Sequence, residues 1–213
     1  MKKIFLGVCL CVMMMFVVAP TAQGIAITSE TFSITSDHMD GAGGAGLGPY
    51  GTVSLVQNGT SVDVTVTLLD SNKFVRTGSG SSYDFVFDAT GVVVGDLSGT
   101  GLTFAGTSGG AAIHADGTGY WDFGAYFTTQ GTGGGSNARS GPLAFIVANA
   151  SIADLTAGQV GGYIFAIDML SGSTGNTGMV DVSTPPTVPE PTTLLLLGLG
   201  LVGLAGVRRM LKN

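Results

Sequence analysis

The residues with chemistry to offer are few, and most sit among glycines. Gly106-Thr107-Ser108-Gly109-Gly110 fits G-x-S-x-G, with His114 close by as a base. At that spacing a serine on a sharp turn becomes an acyl-transfer nucleophile, provided a strand–turn–helix elbow holds it. No helical pattern follows Gly110, so the match is one of the coincidences that 36 glycines produce. Gly41, Gly43 and Gly46 match a dinucleotide-loop spacing for the same reason, with no βαβ unit to support it. The two histidines, His38 and His114, each have a carboxylate nearby, in Asp37-His38-Met39-Asp40 and His114-Ala115-Asp116. A transition metal can use such pairs, but a hard cation is the better candidate. Asp88, Asp96 and Asp116 fall at strand ends, where carboxylates and carbonyls can converge on calcium, although no EF-hand loop or calcium nonapeptide repeat is present. Tyr120, Trp121, Tyr126 and Tyr163 offer rings for sugar stacking, but strand alternation places Trp121 with Phe123 and Phe127 in the core. Asn58-Gly59-Thr60 and Asn149-Ala150-Ser151 fit the glycosylation acceptor, which matters only in a host that glycosylates exported asparagines. No catalytic residue and no resident cofactor is expected, with calcium the one open candidate.

The elements that carry these residues read as strands. Val62, Val64, Val66 and Leu68 alternate with Asp63, Thr65 and Thr67. Tyr83, Phe85 and Phe87 alternate with Asp84, Val86 and Asp88. Trp121, Phe123, Ala125 and Phe127 form a third face; Leu143, Phe145 and Val147 a fourth; Tyr163, Phe165, Ile167 and Met169 a fifth. Period-two faces rich in β-branched and aromatic residues predict half-buried strands. Further strands are expected over 26–34, 52–56, 92–94 and 102–105, with a hairpin turn at 57–60 and one helical turn near 151–155. The glycine-rich tracts 41–48, 78–82 and 131–136 read as mobile loops. Parallel α/β folds need crossover helices, and none is visible. The expected fold is all-β: a single β-sandwich, jelly-roll-like or immunoglobulin-like, over residues 25–182.

Charge narrows the function. Within 25–190, Lys73, Arg76 and Arg139 stand against all 14 acidic residues, a formal charge of −11. Nucleic-acid binding needs phosphate neutralisation and is excluded as a function class on this balance. The body has no cysteine, since Cys9 and Cys11 both lie near the N-terminus, so neither disulfides nor thiolate metal sites support it.

The two ends explain the charge segregation. Lys2 and Lys3, the apolar stretch 4–18 and the small residues Ala22-Gln23-Gly24 read as a secretory signal peptide over 1–24, cut by signal peptidase after Gly24, with Ala26 the second choice. Residues 183–191 form a proline-rich tether ending in Pro189-Glu190-Pro191. Residues 192–207 are apolar after Thr193, a helix of about 24 Å, and read as a short membrane span. The tail 208–213 carries Arg208, Arg209 and Lys212 and is expected on the cytoplasmic side of the inner membrane, with the body outside.

A Pro-Glu-Pro tripeptide, a Leu/Gly-rich span and a terminal Arg-Arg resemble the PEP-CTERM sorting signal of Gram-negative bacteria. The resemblance implies a membrane-embedded exosortase-type enzyme as partner, with Pro189, Glu190 and Pro191 recognised and Arg208 and Arg209 retaining the chain. In the body, 113–117, 140–143 and 174–178 are similar to central regions of other such proteins. The chain is then an exosortase substrate, not an enzyme. It is expected first in the periplasm on a transient membrane anchor, then at the cell surface or outside the cell. There it would be a structural or adhesive component of exopolysaccharide or biofilm, or alternatively a secreted carbohydrate- or calcium-binding module.

Overall fold

The computed structural model describes residues 28–39, 44–78, 81–157 and 162–182. The signal peptide with Gly24, the tether with Pro189, Glu190 and Pro191, the apolar run 192–207 and the tail with Arg208 and Arg209 lie outside the described residues. Among the described residues no helix is long and apolar enough to cross a membrane.

The described chain is β throughout, as its alternation predicts. One sheet has β1 (Ser29–Ile34), β3 (Gly51–Asn58), β4 (Ser61–Leu68), β12 (Leu143–Ala148) and β7 (Leu97–Ser98), in the order β1-β3-β4-β12-β7. The other runs β2 (Ser36–Asp37), β14 (Thr177–Val182), β13 (Phe165–Leu170), β6 (Phe85–Phe87), β11 (Phe123–Phe127) and β8 (Leu102–Gly106), with β5 (Lys73–Phe74) also beside β13. Every named pairing is antiparallel. The β3–β4 hairpin turns on Gly59-Thr60, with Asn58 opposite Ser61. Gly59 has φ +62°, the left-handed value that the first turn position of a two-residue hairpin demands of glycine. The helical turn is α1 (Ile152–Thr156): Asp154 accepts the Ser151 N–H at 2.8 Å, and the Ser151 hydroxyl faces the Asp154 N–H.

The two sheets face each other across a shared core. Val62, Val64, Val66, Leu143, Phe145 and Val147 line one wall, as predicted; Phe85, Phe87, Phe123, Phe165 and Ile167 line the other. Phe87 is the aromatic centre, its ring 5.4 Å from Phe123, 5.5 Å from Phe145 and 5.6 Å from Phe85.

The seven-stranded sheet departs from the half-buried expectation, because its middle strands are buried on both faces. The hairpin of β9 (Ile113–Ala115) and β10 (Gly119–Trp121) lies on its outer side and makes a second small core from Ile113, Ala115, Trp121, Val86, Ala166 and Met179. Trp121 is therefore buried, but away from Phe123 and Phe127. A bend at Asp122 interrupts the alternation; its N–H donates to Asp88 Oδ1 (2.8 Å). Tyr163 likewise packs in this outer layer and not beside Phe165. Tyr83 does the same. A side chain at Gly124, on the sheet's outer face, would meet the Tyr83 ring at 2.4 Å, so only glycine admits the ring there. The strand expected over 92–94 is instead a 3-10 turn, Val94–Asp96, with Val93 and Val94 exposed. Three apolar residues in a row carried no period to arbitrate between the two.

Candidate functional site

Aspartates do the same work at loop after loop: the carboxylate accepts backbone N–H groups that glycine-rich turns leave unpaired. Asp37 takes the amides of Met39 (2.8 Å) and Ala45 (2.7 Å). The described part of the 41–48 tract is accordingly not a free loop. Ser171 and Asn176 side chains also bond the carbonyls of Ala45 and Gly44, each at 2.8 Å. Asp122 takes Gly109 (2.8 Å) and Ala111 (2.9 Å), holding the loop that contains Ser108. The Ser108 hydroxyl donates to the Ala89 carbonyl at 2.8 Å, and the chain after it continues into β9 rather than a helix. The His114 ring leans on Tyr120, their centroids 5.0 Å apart.

The calcium candidates are not brought together. Asp88 Oδ1 accepts from Asp122. Asp96 accepts from Val93 N (3.0 Å) and Asn149 Nδ2 (2.8 Å), two bonds that hold its carboxyl below the usual range. Asp116 is exposed in the β9–β10 turn. Among the described residues no three of His, Cys, Asp or Glu are grouped to hold a metal. His38 bonds Asp181 through Nε2 and packs edge-on against Tyr163. Of the four aromatic residues considered for sugars, Trp121 is enclosed, Tyr126 lies under the Arg76 guanidinium at 3.8 Å, Tyr163 is half-buried and Tyr120 alone is exposed.

Among the described residues the strongest electrostatic feature carries no sequence motif. β5 and β6 pair with opposite ends of β13, and residues 76–78 and 81–83 form an excursion off the sheet at the gap between them. At the gap, Val75 N–H donates to the Asp168 carbonyl and Asp168 N–H to the Asp84 carbonyl, each at 3.0 Å. The β6–β13 register thus continues by one residue and sets Asp84 opposite Asp168 on the outer face. Both are fully buried. Asp168 Oδ2 anchors the excursion by accepting from Thr77 N and Thr77 Oγ1, both 2.8 Å. Asp84 Oδ2 accepts from Phe127 N at 3.0 Å. Gln130 Nε2 donates to the Phe74 carbonyl (3.0 Å), and Arg76 donates to the carbonyls of Ser82 (2.8 Å) and Gln130 (2.9 Å).

Burial pushes Asp84 up to about 6, against the Phe127 N–H, the Gln130 amide and the Arg76 charge. Burial pushes Asp168 up to about 7, against the Thr77 bonds and with the Asp84 charge adding to the rise. From the ordinary value of 3.8 up to these raised values, the folded protein keeps protons that the unfolded chain has already released. The pair's contribution to stability is therefore fully present below about pH 4, declines as pH climbs toward 6 and 7, and levels off above. In chelator, the urea midpoint should fall steadily between pH 4.5 and 8, by the equivalent of about 2–5 kcal/mol. A midpoint that rises over that range would contradict the buried pair.

Residues 187–209 match the family model described as the PEP-CTERM protein-sorting motif. No curated protein and no solved structure matches the chain. The matched span contains Pro189, Glu190, Pro191, Arg208 and Arg209, the residues of the sequence-level resemblance. The chain carries a PEP-CTERM protein-sorting motif and is thereby an exported, membrane-transiting protein processed by an exosortase-type enzyme.

Proposed function

We propose that this protein is a non-enzymatic structural or adhesive component of the cell surface or the exopolysaccharide matrix. The sorting motif at 187–209 is the observation that carries the reading. The apolar helix 192–207 holds the acidic body on the periplasmic side of the inner membrane, and Arg208, Arg209 and Lys212 stop transfer there. Exosortase-type cleavage near Pro189-Glu190-Pro191 then releases or transfers the body. The reactive chemistry belongs to the partner enzyme. Among the described residues, several side chains that bear functional groups hold the protein's own loops: Ser108 on Ala89, Asp122 on Gly109 and Ala111, Asp37 on Met39 and Ala45.

Fractionation of growing cells tests the reading. The mature protein should accumulate in the extracellular polymer fraction, lacking both termini. Accumulation of the intact C-terminus in the inner membrane as the only stable form would overturn it. A sugar-binding variant of this reading rests on Tyr120, 57% exposed beside His114. Tyr120→Ala should then weaken retention on the host's own exopolysaccharide at least tenfold, and unchanged retention would remove that variant.

A further inference from the structure

We propose that Asp84, Asp168 and Gln130 form an internal binding site for a hard divalent cation, with calcium the best chemical fit, at the gap in the seven-stranded sheet between β5 and β6. Three side-chain oxygens there have no hydrogen-bond partner although they are sealed from solvent: Asp84 Oδ1, Asp168 Oδ1 and Gln130 Oε1. The residues themselves are 0%, 0% and 4% exposed. A buried carboxylate oxygen without a partner is costly, and natural structures rarely keep one without a proton, water or ion to meet it.

The three oxygens belong to one place. Asp84 and Asp168 are opposed across the β6–β13 pairing and joined through their main chains. Gln130 is tied to the same gap through Phe74, whose carbonyl accepts from the Gln130 amide and whose neighbour Val75 donates to the Asp168 carbonyl. Each side chain is also fixed by its other polar atom: Asp84 by Phe127 N–H, Asp168 by Thr77, Gln130 by the Phe74 carbonyl. The free oxygens are consequently held in position before any ligand arrives, which lowers the cost of binding.

Charge and donor type select the ligand. With both carboxylates ionised, the Arg76 guanidinium offsets one negative charge and leaves one uncompensated. The donors are all oxygen, without nitrogen or sulfur, which favours Ca2+ over the transition metals. Calcium also tolerates irregular donor sets, whereas Mg2+ requires a near-ideal octahedron. Two carboxylates and one amide oxygen place the affinity in the weak range of extracellular modules, a Kd of about 0.1–1 mM. The ion would tie β6, β13 and the segment after β11 together at the gap between β5 and β6. This site is distinct from Asp88, Asp96 and Asp116, and its existence does not depend on where the protein is sorted.

The test uses the full chain in detergent, metal-stripped, at pH 7.5. Calcium at about 10 mM should raise Tm by about 5 °C over chelator. Terbium should show tyrosine-sensitised emission, because Tyr126 continues the same register row as Asp84, and Tyr83 lies 5.8 Å from Tyr126 between ring centroids. Asp168→Asn and Asp84→Asn, near-isosteric changes that keep an oxygen for the existing N–H donors, should abolish both signals while leaving the urea transition cooperative. Calcium-independent Tm with no terbium emission would overturn the proposal and assign the oxygens to a shared proton. Calcium effects that persist in both variants would overturn it equally, by placing the ion elsewhere.

Discussion

Cells expressing Pro189→Ala, Pro191→Ala should retain the full-length chain in the inner membrane and release almost none, whereas the unaltered protein is shortened and exported. The expectation follows from backbone conformation. Proline fixes φ near −65° and disfavours the helical region for the residue before it, so the sequence at Val188 and Glu190 favours an extended backbone. An enzyme at the membrane surface then meets a segment that is already ordered for binding. With alanine at both positions, that preference is lost and the motif must be ordered at the moment of binding. Ordering a residue costs about 1–2 kcal/mol, so three freed residues would lower processing by two orders of magnitude or more. Glu190→Gln, which keeps the prolines, separates recognition of charge from recognition of shape. Release of the double variant at the unaltered rate would remove Pro189-Glu190-Pro191 as the recognised element. Immunoblotting of membrane and medium fractions reads the result directly.

Phe87→Ala should cost about 3–5 kcal/mol, a large part of the stability of any domain of this size. The ring is fully buried and touches three other aromatic rings, two on its own sheet and Phe145 on the facing sheet. Its removal opens a cavity at the point where both walls of the core depend on one another. The surrounding strands cannot collapse into it, because β6 is hydrogen-bonded on both sides, to β11 and β13. Phe87→Leu should cost far less, on the order of 1–2 kcal/mol, since most of the volume remains. Trp121 is the only tryptophan and is fully buried, so its emission reports unfolding without a label. Equal urea midpoints for the alanine variant and the parent would mean that the two sheets do not share this core.

The strands and the sorting signal were both legible because each is written in consecutive residues. Val62, Val64 and Val66 alternate with polar neighbours, and one face of a sheet needs nothing more to become a core wall. Asn58-Gly59 marks the hairpin because a tight turn needs a positive φ at a defined place. The sorting motif is local as well, contained within residues 187–209. What alternation cannot encode is a third layer. Phe85-Val86-Phe87 and Phe165-Ala166-Ile167 look half-exposed in sequence, yet the β9–β10 hairpin folds over their outer face and buries it. The same layer decides the acids. Asp84 and Asp168 are 84 residues apart, and each sits in or next to a strand as Asp63 does, although Asp63 is only half-buried. Their one visible signal is an acid next to a continuous apolar run, a pattern that only strand pairing turns into a buried pair. Sequence alone determined that this is an exported, acidic β-protein with a C-terminal sorting signal, because export and strand formation depend on local order. Tertiary structure decided which carboxylates are buried and paired, because that depends on which distant strands meet and what covers them.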